Sequence, residues 1–204
     1  AKIEEVLESR YTRWVDEGFK AIKMKVGLLS IGTDEDVRRV KAVRNAIGND
    51  IDLMVDANCA WNAHQAIKFA KRIERYDPYW FEEPVRADDI KGYAQVVKAI
   101  DIPVAGGENE YLRYGFRPLI ENKAIDIIQL DVLKSGGFTE CKKISAMASA
   151  FGLAVGLHCE EEYEVSMHLA ASDPNTLSVE VHPDSERNPL YQILWDDPPK
   201  IKDG

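Results

Sequence analysis

The sequence is poor in the residues from which several kinds of site are built. Its 204 residues include three cysteines and four histidines, none at the close spacing of a zinc motif. Because the cysteines, Cys59, Cys141 and Cys159, are odd in number, we expect free thiols in a reducing cytoplasm. No apolar run reaches the ~18 residues of a membrane-spanning helix. We therefore expect a cytoplasmic protein without a membrane partner.

Positive charge is also scarce. The chain has 26 lysines and arginines against 35 aspartates and glutamates, so its net charge is -9. This balance disfavours nucleic acid and anionic membranes as partners. An acidic protein can still bind a small carboxylate if a cation lies in the site.

Strand-like and helical segments alternate along the chain. The first helix is expected over 3–17, the first strand over 19–27, and a second helix, capped by Thr33, over 34–47. Further strand-like runs cover 51–57, 79–83, 102–105, 125–130, 153–157 and 177–181. Strands separated by helices predict βαβ units and a parallel sheet.

This repeat favours an α/β fold of the (β/α)₈ TIM-barrel type over a doubly wound sheet. A doubly wound nucleotide-binding fold needs a glycine-rich turn after an early strand, and Val26-Gly27 leading to Gly32 does not supply one. Only seven strands are recognised, so we predict a partial catalytic barrel over 1–182 that lacks its first strand. The proline- and acid-rich segment 183–204 is predicted to be irregular.

Ionisable residues stand at the ends of all seven predicted strands. They follow one another at intervals of 22 to 31 residues, about one βα unit each: Lys25, Asp56, Glu82, Glu108, Asp131, His158 and Glu180. Barrel enzymes carry their chemistry at these ends. Alternation along the first strand puts Lys23 on the same face as Lys25, pointing inward. One such residue is ordinarily a solvated loop start, but seven together predict an active site.

The carboxylates of Asp56, Glu82 and Glu108 come from three consecutive strands and are expected to converge. Three close carboxylates need a cation to stay ionised, and an all-oxygen donor set suits Mg²⁺ better than zinc. On one flank lie the lysines. On the other, Asp131 can accept the second imidazole proton of His158 and so fix its tautomer. Glu83, beside Glu82, is expected to brace a neighbouring strand.

Short motifs at these ends resemble the enolase superfamily, in particular its mandelate racemase subgroup. They are Lys-Met-Lys, Val-Asp-Ala-Asn, Phe-Glu-Glu-Pro, Gly-Gly-Glu-Asn, Asp-Val-Leu-Lys-Ser-Gly-Gly and Gly-Leu-His. The resemblance implies Mg²⁺ ligation by Asp56, Glu82 and Glu108. It implies that Lys25 is one base, Lys23 a helper at the substrate carboxylate, His158 with Asp131 the opposite base or acid, and Glu180 a hydrogen-bond donor to the enediolate.

The resemblance further implies Mg²⁺-dependent removal of the proton next to a substrate carboxylate, through a metal-stabilised enediolate. We expect a lyase that dehydrates an acid sugar to a 2-keto-3-deoxy acid. Two alternatives stay open: a racemase or epimerase of a 2-hydroxy acid, and a truncated barrel without catalysis. We expect a homo-oligomer. Such enzymes carry an N-terminal capping domain, which we do not expect in this sequence.

Overall fold

The structure is a computed structural model that describes residues 3–28, 30–159, 163–182 and 201. Apart from Ile201, the segment predicted to be irregular lies outside the described residues. The chain divides into two compact units, the first formed by 1–105, 122–125 and 201–204, and the second by 106–121 and 126–200. In the part of the chain that the structure describes, no helix is both long and apolar enough to cross a membrane.

The first unit is built from parallel strands and the helices between them. In chain order its elements are α1 (Ile3–Asp16), β1 (Ala21–Lys25), α2 (Gly32–Ile47), β2 (Asp52–Asp56), α3 (Ala63–Ile73), a short 3-10 helix (Glu74–Tyr76), β3 (Pro78–Glu82), α4 (Ile90–Ala99) and the start of β4 (Val104–Gly106). β1 pairs with β2, β2 with β3, and β3 with β4, always in parallel.

The second unit repeats this plan. Its elements are α5 (Leu112–Glu121), β5 (Ile127–Asp131), α6 (Gly137–Ala150), β6 (Ala154–His158), α7 (Tyr163–Ser172) and β7 (Thr176–Val179). β5 pairs with β6 and β6 with β7, again in parallel. All seven predicted strands are therefore confirmed, although the bounds shift by one or two residues at each end.

The α2 helix begins earlier than predicted, and Thr33 does not cap it. The helix starts at Gly32, and Ile31 occupies the capping position without a side-chain hydrogen bond. The backbone N–H groups of Ile31 and Gly32 both donate to the carbonyl of Leu28. Because this turn leads directly into the helix, Thr33 lies inside the first helical turn.

Apolar side chains fill the space between sheet and helices in the first unit. Trp61, Phe69 and Phe81 form an aromatic cluster, with ring centroids 4.7 to 6.0 Å apart. Phe69 from α3 and Phe81 from β3 are completely buried. The cluster thus fixes α3 against the strand that ends in Glu82.

Arg44 of α2 binds four backbone carbonyls near the beginnings of β2 and β3. Its guanidinium donates to the oxygens of Gly48, Ile51, Tyr76 and Asp77 over 2.7 to 2.9 Å. Buried carbonyls need hydrogen-bond donors, and the planar fork of arginine can serve several at once. One buried side chain therefore ties the helix to the entry points of two strands.

In the second unit, Gly107 permits the close approach that places Glu108. Gly107 has φ +120, and a Cβ there would lie 2.7 Å from the Phe116 ring and 2.9 Å from the Gln129 carbonyl. Any other residue would clash.

The start of α5 is held to α6 by Arg113, which donates to both carboxylate oxygens of Glu140 over 2.8 Å.

We predict that Arg44→Met destabilises the protein by about 3 kcal/mol, because buried carbonyls lose a charged donor. Urea unfolding followed by circular dichroism measures the change. Arg38→Met is the matched control, since Arg38 lies on the same helix but is exposed. It should change the free energy of unfolding by no more than about 0.5 kcal/mol. Equal effects of the two substitutions would contradict the role of Arg44.

The expected thiols are confirmed, since Cys59, Cys141 and Cys159 form no disulfide in the described part of the chain. Burial raises the pKa of the Cys141 thiol to about 11. A raised thiol pKa leaves about one thiolate per thousand at pH 8. We therefore predict that iodoacetamide modifies the half-buried Cys59 first and Cys141 only after unfolding, as read by peptide mass spectrometry. Rapid labelling of Cys141 in the folded protein would show that α6 opens more readily than its packing implies.

Candidate active site

In the first unit, two carboxylates lie side by side at the ends of neighbouring strands. Asp56 ends β2 and Glu82 ends β3, and the two residues are partners in the parallel register. Both are completely buried, at 0% exposure. A buried carboxylate is costly unless charges or hydrogen bonds compensate it.

Two lysines of β1 provide that compensation. Lys23 Nζ lies 2.7 Å from Glu82 Oε1 and 4.0 Å from Asp56 Oδ2. Lys25 Nζ donates to Asp56 Oδ2. The predicted alternation is confirmed, because Ile22, Met24 and Val26 are buried while both lysines keep partial exposure.

Burial and the neighbouring carboxylate act together on Asp56. Desolvation is the larger effect and the negative charge of Glu82 adds to it, so that the pKa of Asp56 lies above its usual range. Lys23 and Lys25 oppose this shift without cancelling it. Additional positive charge at this point would therefore stabilise the ionised form.

The backbone around the carboxylate pair is held in an unusual conformation. Asn58, Cys59 and Glu83 all have positive φ, between 39° and 62°. Asn58 N–H donates to Asp56 Oδ1 over 2.8 Å, and Cys59 N–H donates to the carbonyl of Glu83 over 2.9 Å. The Cys59 thiol also donates to Glu83 Oε2. Glu83 thus contacts the turn that follows β2, and its expected bracing of a neighbouring strand stays a prediction.

Trp80 makes a contact with Glu82 that was not predicted from the sequence. Its indole Nε1–H donates to Glu82 Oε2 over 3.1 Å, and the side chain is buried. The signal is present in the sequence, since Trp80 precedes Glu82 by two positions on one strand and so shares its face. A tryptophan in a strand is ordinarily interpreted as part of the apolar core, so its N–H donor is easily overlooked.

In the second unit, His158 lies between two acidic residues. Its Nδ1 is 2.9 Å from Asp131 Oδ2, and its Nε2 is 3.4 Å from Glu108 Oε2. Asp131 ends β5 and His158 ends β6, where the two are register partners. All three side chains are buried. The predicted pairing of His158 with Asp131 is thus present in the structure.

Asp131 is stabilised as an anion. Burial alone would raise its pKa, but the hydrogen bond with His158, the backbone N–H of Lys134 and the charges of both residues outweigh it. The pKa of Asp131 therefore lies below its usual range. Asp131 Oδ1 accepts from Leu133 N–H as well, so the carboxylate is fixed while Oδ2 faces the imidazole.

Glu180 follows β7 and lies beside the end of β6, since its N–H donates to the Leu157 carbonyl over 2.9 Å. Its carboxylate is 3.8 Å from His182 Nε2. Its predicted contact with an enediolate stays a prediction.

Within the described residues, no three His, Cys, Asp or Glu side chains are arranged to hold a metal ion. The triad of Asp56, Glu82 and Glu108 likewise stays a prediction.

Known proteins resemble this chain over most of its length. Arabinonate dehydratase of Saccharolobus solfataricus is 32% identical over 203 residues, which is 98% of this chain and 53% of that protein. The structure of L-talarate dehydratase from Polaromonas sp. JS666, complexed with Mg and L-glucarate, has a TM-score of 0.84 at 30% identity. That match covers 98% of this chain and 53% of the other.

A racemase from Streptomyces coelicolor A3(2), solved with bound magnesium, also has a TM-score of 0.84, at 34% identity, over 89% of this chain and 50% of the other. The chain spans about half the length of the curated relatives it matches.

Residues 6–204 match the family model described as "Enolase C-terminal domain-like". The match agrees with the predicted fold class, an α/β protein of the TIM-barrel type with seven strands in the described residues. It agrees as well with the motifs at the strand ends. The chain therefore belongs to the enolase superfamily, in its mandelate racemase-like branch, and represents the C-terminal barrel domain of that family.

Proposed function

We propose that this protein is a Mg²⁺-dependent lyase that dehydrates an acid sugar to a 2-keto-3-deoxy acid. The observation that carries the proposal is that neighbouring strands within each unit end in acidic and basic side chains that contact each other. In the first unit these are two buried carboxylates with two lysines, and in the second an imidazole held by Asp131. Dehydratases among the relatives support the same reaction class.

Asp56, Glu82 and Glu108 are the proposed Mg²⁺ ligands. The donor set fits this ion, since Mg²⁺ prefers oxygen ligands and is bound through one or a few carboxylates. The raised pKa of Asp56 beside Glu82 is the physical sign that this pair needs more positive charge. The chemistry expected from the ion is stabilisation of the negative charge that develops on the substrate carboxylate.

Lys23 and Lys25 have different exposures and therefore different proposed roles. The Lys23 side chain is 14% exposed and contacts both carboxylates, which suits a group that orients the substrate carboxylate. The Lys25 side chain is 39% exposed, the greater exposure of the two. We assign it the removal of the α-proton, because a base must reach the substrate carbon.

His158 is the proposed general acid. When its Nδ1–H donates to Asp131, the tautomer is fixed and Nε2 becomes the atom that exchanges protons. In dehydration the C–H bond α to the carboxylate breaks and its proton goes to the base. The β C–O bond then breaks and the hydroxyl leaves as water with the proton from Nε2. The resulting enol takes up a proton at the former β-carbon and releases the proton of its hydroxyl group, which gives the 2-keto acid. Glu180 is the proposed hydrogen-bond donor to the enediolate, before the hydroxyl leaves.

Racemisation of a 2-hydroxy acid is the second candidate, favoured by the resemblance to a magnesium-bound racemase. It requires two bases at opposite faces of one carbon, roles that would fall to Lys25 and His158. The two functions differ in one product, because only dehydration releases water.

A panel of acid sugars, incubated with the protein and Mg²⁺, tests the proposal directly. Formation of a 2-keto acid that stops when the ion is chelated supports dehydration. Inversion at the α-carbon without a 2-keto product supports the second candidate. Magnesium binding without turnover of any acid sugar or hydroxy acid would contradict both.

We predict that Glu82→Gln weakens Mg²⁺ binding by about 100-fold or more, since loss of an inner ligand exceeds the ~10–100-fold typical of outer-shell partners. Turnover should fall to near the background rate. Isothermal titration calorimetry measures the affinity. Glu121→Gln is the matched control, because this exposed residue pairs with the solvent-facing Arg117. Full activity of Glu82→Gln after careful chelation would show that Glu82 is not a ligand.

We predict that His158→Asn abolishes dehydration but leaves some exchange of the α-proton with D₂O through Lys25. Loss of a general acid costs typically ~10²–10⁴-fold. Lys25→Ala should have the converse effect on substrates of the other configuration. Proton NMR in D₂O separates exchange from product formation.

Two further variants serve as checks on that result. His168→Asn, on the exposed side of α7, should keep wild-type activity. Asp131→Asn should bind substrate almost normally yet turn over slowly, because it changes the tautomer and basicity of His158. Full dehydration by His158→Asn would refute the proposed mechanism.

A further inference from the structure

Trp80 directs its one polar atom at a carboxylate. Indole Nε1–H donates to Glu82 Oε2 over 3.1 Å, although the residue is 4% exposed and lies within the core. Both residues lie on β3 two positions apart, so their side chains share a face. The contact is therefore built into the strand and does not depend on a flexible loop.

The two oxygens of Glu82 have partners of different mobility. Oε1 accepts from Lys23, whose ammonium is carried on a flexible four-carbon stem and keeps some exposure. Oε2 accepts from Trp80, which has two side-chain torsions and is packed in place. A cation arriving at Glu82 can displace the lysine, whereas the indole stays.

We propose that Trp80 is a positioning residue for Mg²⁺: it holds Oε2 of Glu82 so that Oε1 is the oxygen presented to the ion. This inference rests on the proposed role of Glu82 as a ligand. A neutral N–H donor orients the carboxylate without cancelling the negative charge that attracts the cation. Such preorganisation lowers the entropy lost on binding, and outer partners of ligating carboxylates act in this way.

Trp80→Phe tests the role, with Trp61→Phe as the matched control. Trp61 is similarly buried, at 8% exposure, and packs on the rings of Phe69 and Phe81. Each substitution replaces a core indole by a phenyl ring, but only Trp80→Phe removes the donor to Glu82. In calorimetry we expect the Mg²⁺ dissociation constant of Trp80→Phe to rise ~10–100-fold. That of Trp61→Phe should stay near the wild-type value.

A second measurement on the wild-type protein remains informative if Trp80→Phe fails to fold. The chain has four tryptophans, so an indole-¹⁵N-labelled sample gives four side-chain N–H signals. The Trp80 signal is assigned by elimination from phenylalanine variants of the other three. Titration with Mg²⁺ should shift that signal in the wild type and leave it unshifted in Glu82→Gln.

The outcomes separate this inference from the proposed function. If the wild type binds Mg²⁺, Glu82→Gln does not, and Trp80→Phe binds normally, the role of Trp80 is wrong while the ligand assignment stands. Equal weakening in Trp80→Phe and Trp61→Phe also refutes it, because packing then explains the loss. If the wild type binds no Mg²⁺ at all, the proposed function fails and the role of Trp80 fails with it.

Discussion

Burial of two carboxylates at adjacent strand ends is the constraint on which the first unit depends. Asp56 and Glu82 have no exposure to solvent, and isolated ionised groups are very costly in such a place. The ammonium groups of Lys23 and Lys25, on the neighbouring strand β1, stabilise these carboxylates. The alternation of lysines and apolar residues along β1 is therefore required by the electrostatics of β2 and β3 as much as by packing.

The second unit solves a related problem with an imidazole. Asp131 and Glu108 are buried on either side of His158, which contacts one through each ring nitrogen. Asp131 is further stabilised by backbone N–H groups, so it can orient the ring without being protonated itself. The two acids are held in different ways. Backbone N–H groups fix the carboxylate of Asp131, whereas Glu108 is placed by the tight turn at Gly107.

The sequence predicted the structure correctly where the periodic pattern of apolar residues along the chain is sufficient. The strands and their inward faces follow from alternation, and the helices from their spacing between strands, so the periodicity alone was enough to locate the ionisable strand ends. It was wrong at Thr33, where a turn centred on the Leu28 carbonyl starts the helix earlier. It missed Trp80 because an aromatic side chain in a strand is usually explained by burial alone.

The sequence by itself determined the fold class, the parallel strands and which residues stand at their ends. The sequence also predicted one hydrogen-bonded pair, His158 with Asp131. Only the tertiary structure decided the other partners: Lys23 with Glu82, Lys25 with Asp56, and Trp80 with the second oxygen of Glu82. The physical reason is distance along the chain. Side-chain direction is set by near neighbours, whereas most of these hydrogen-bond partners come from strands more than twenty residues apart, whose register depends on the packing of the whole sheet.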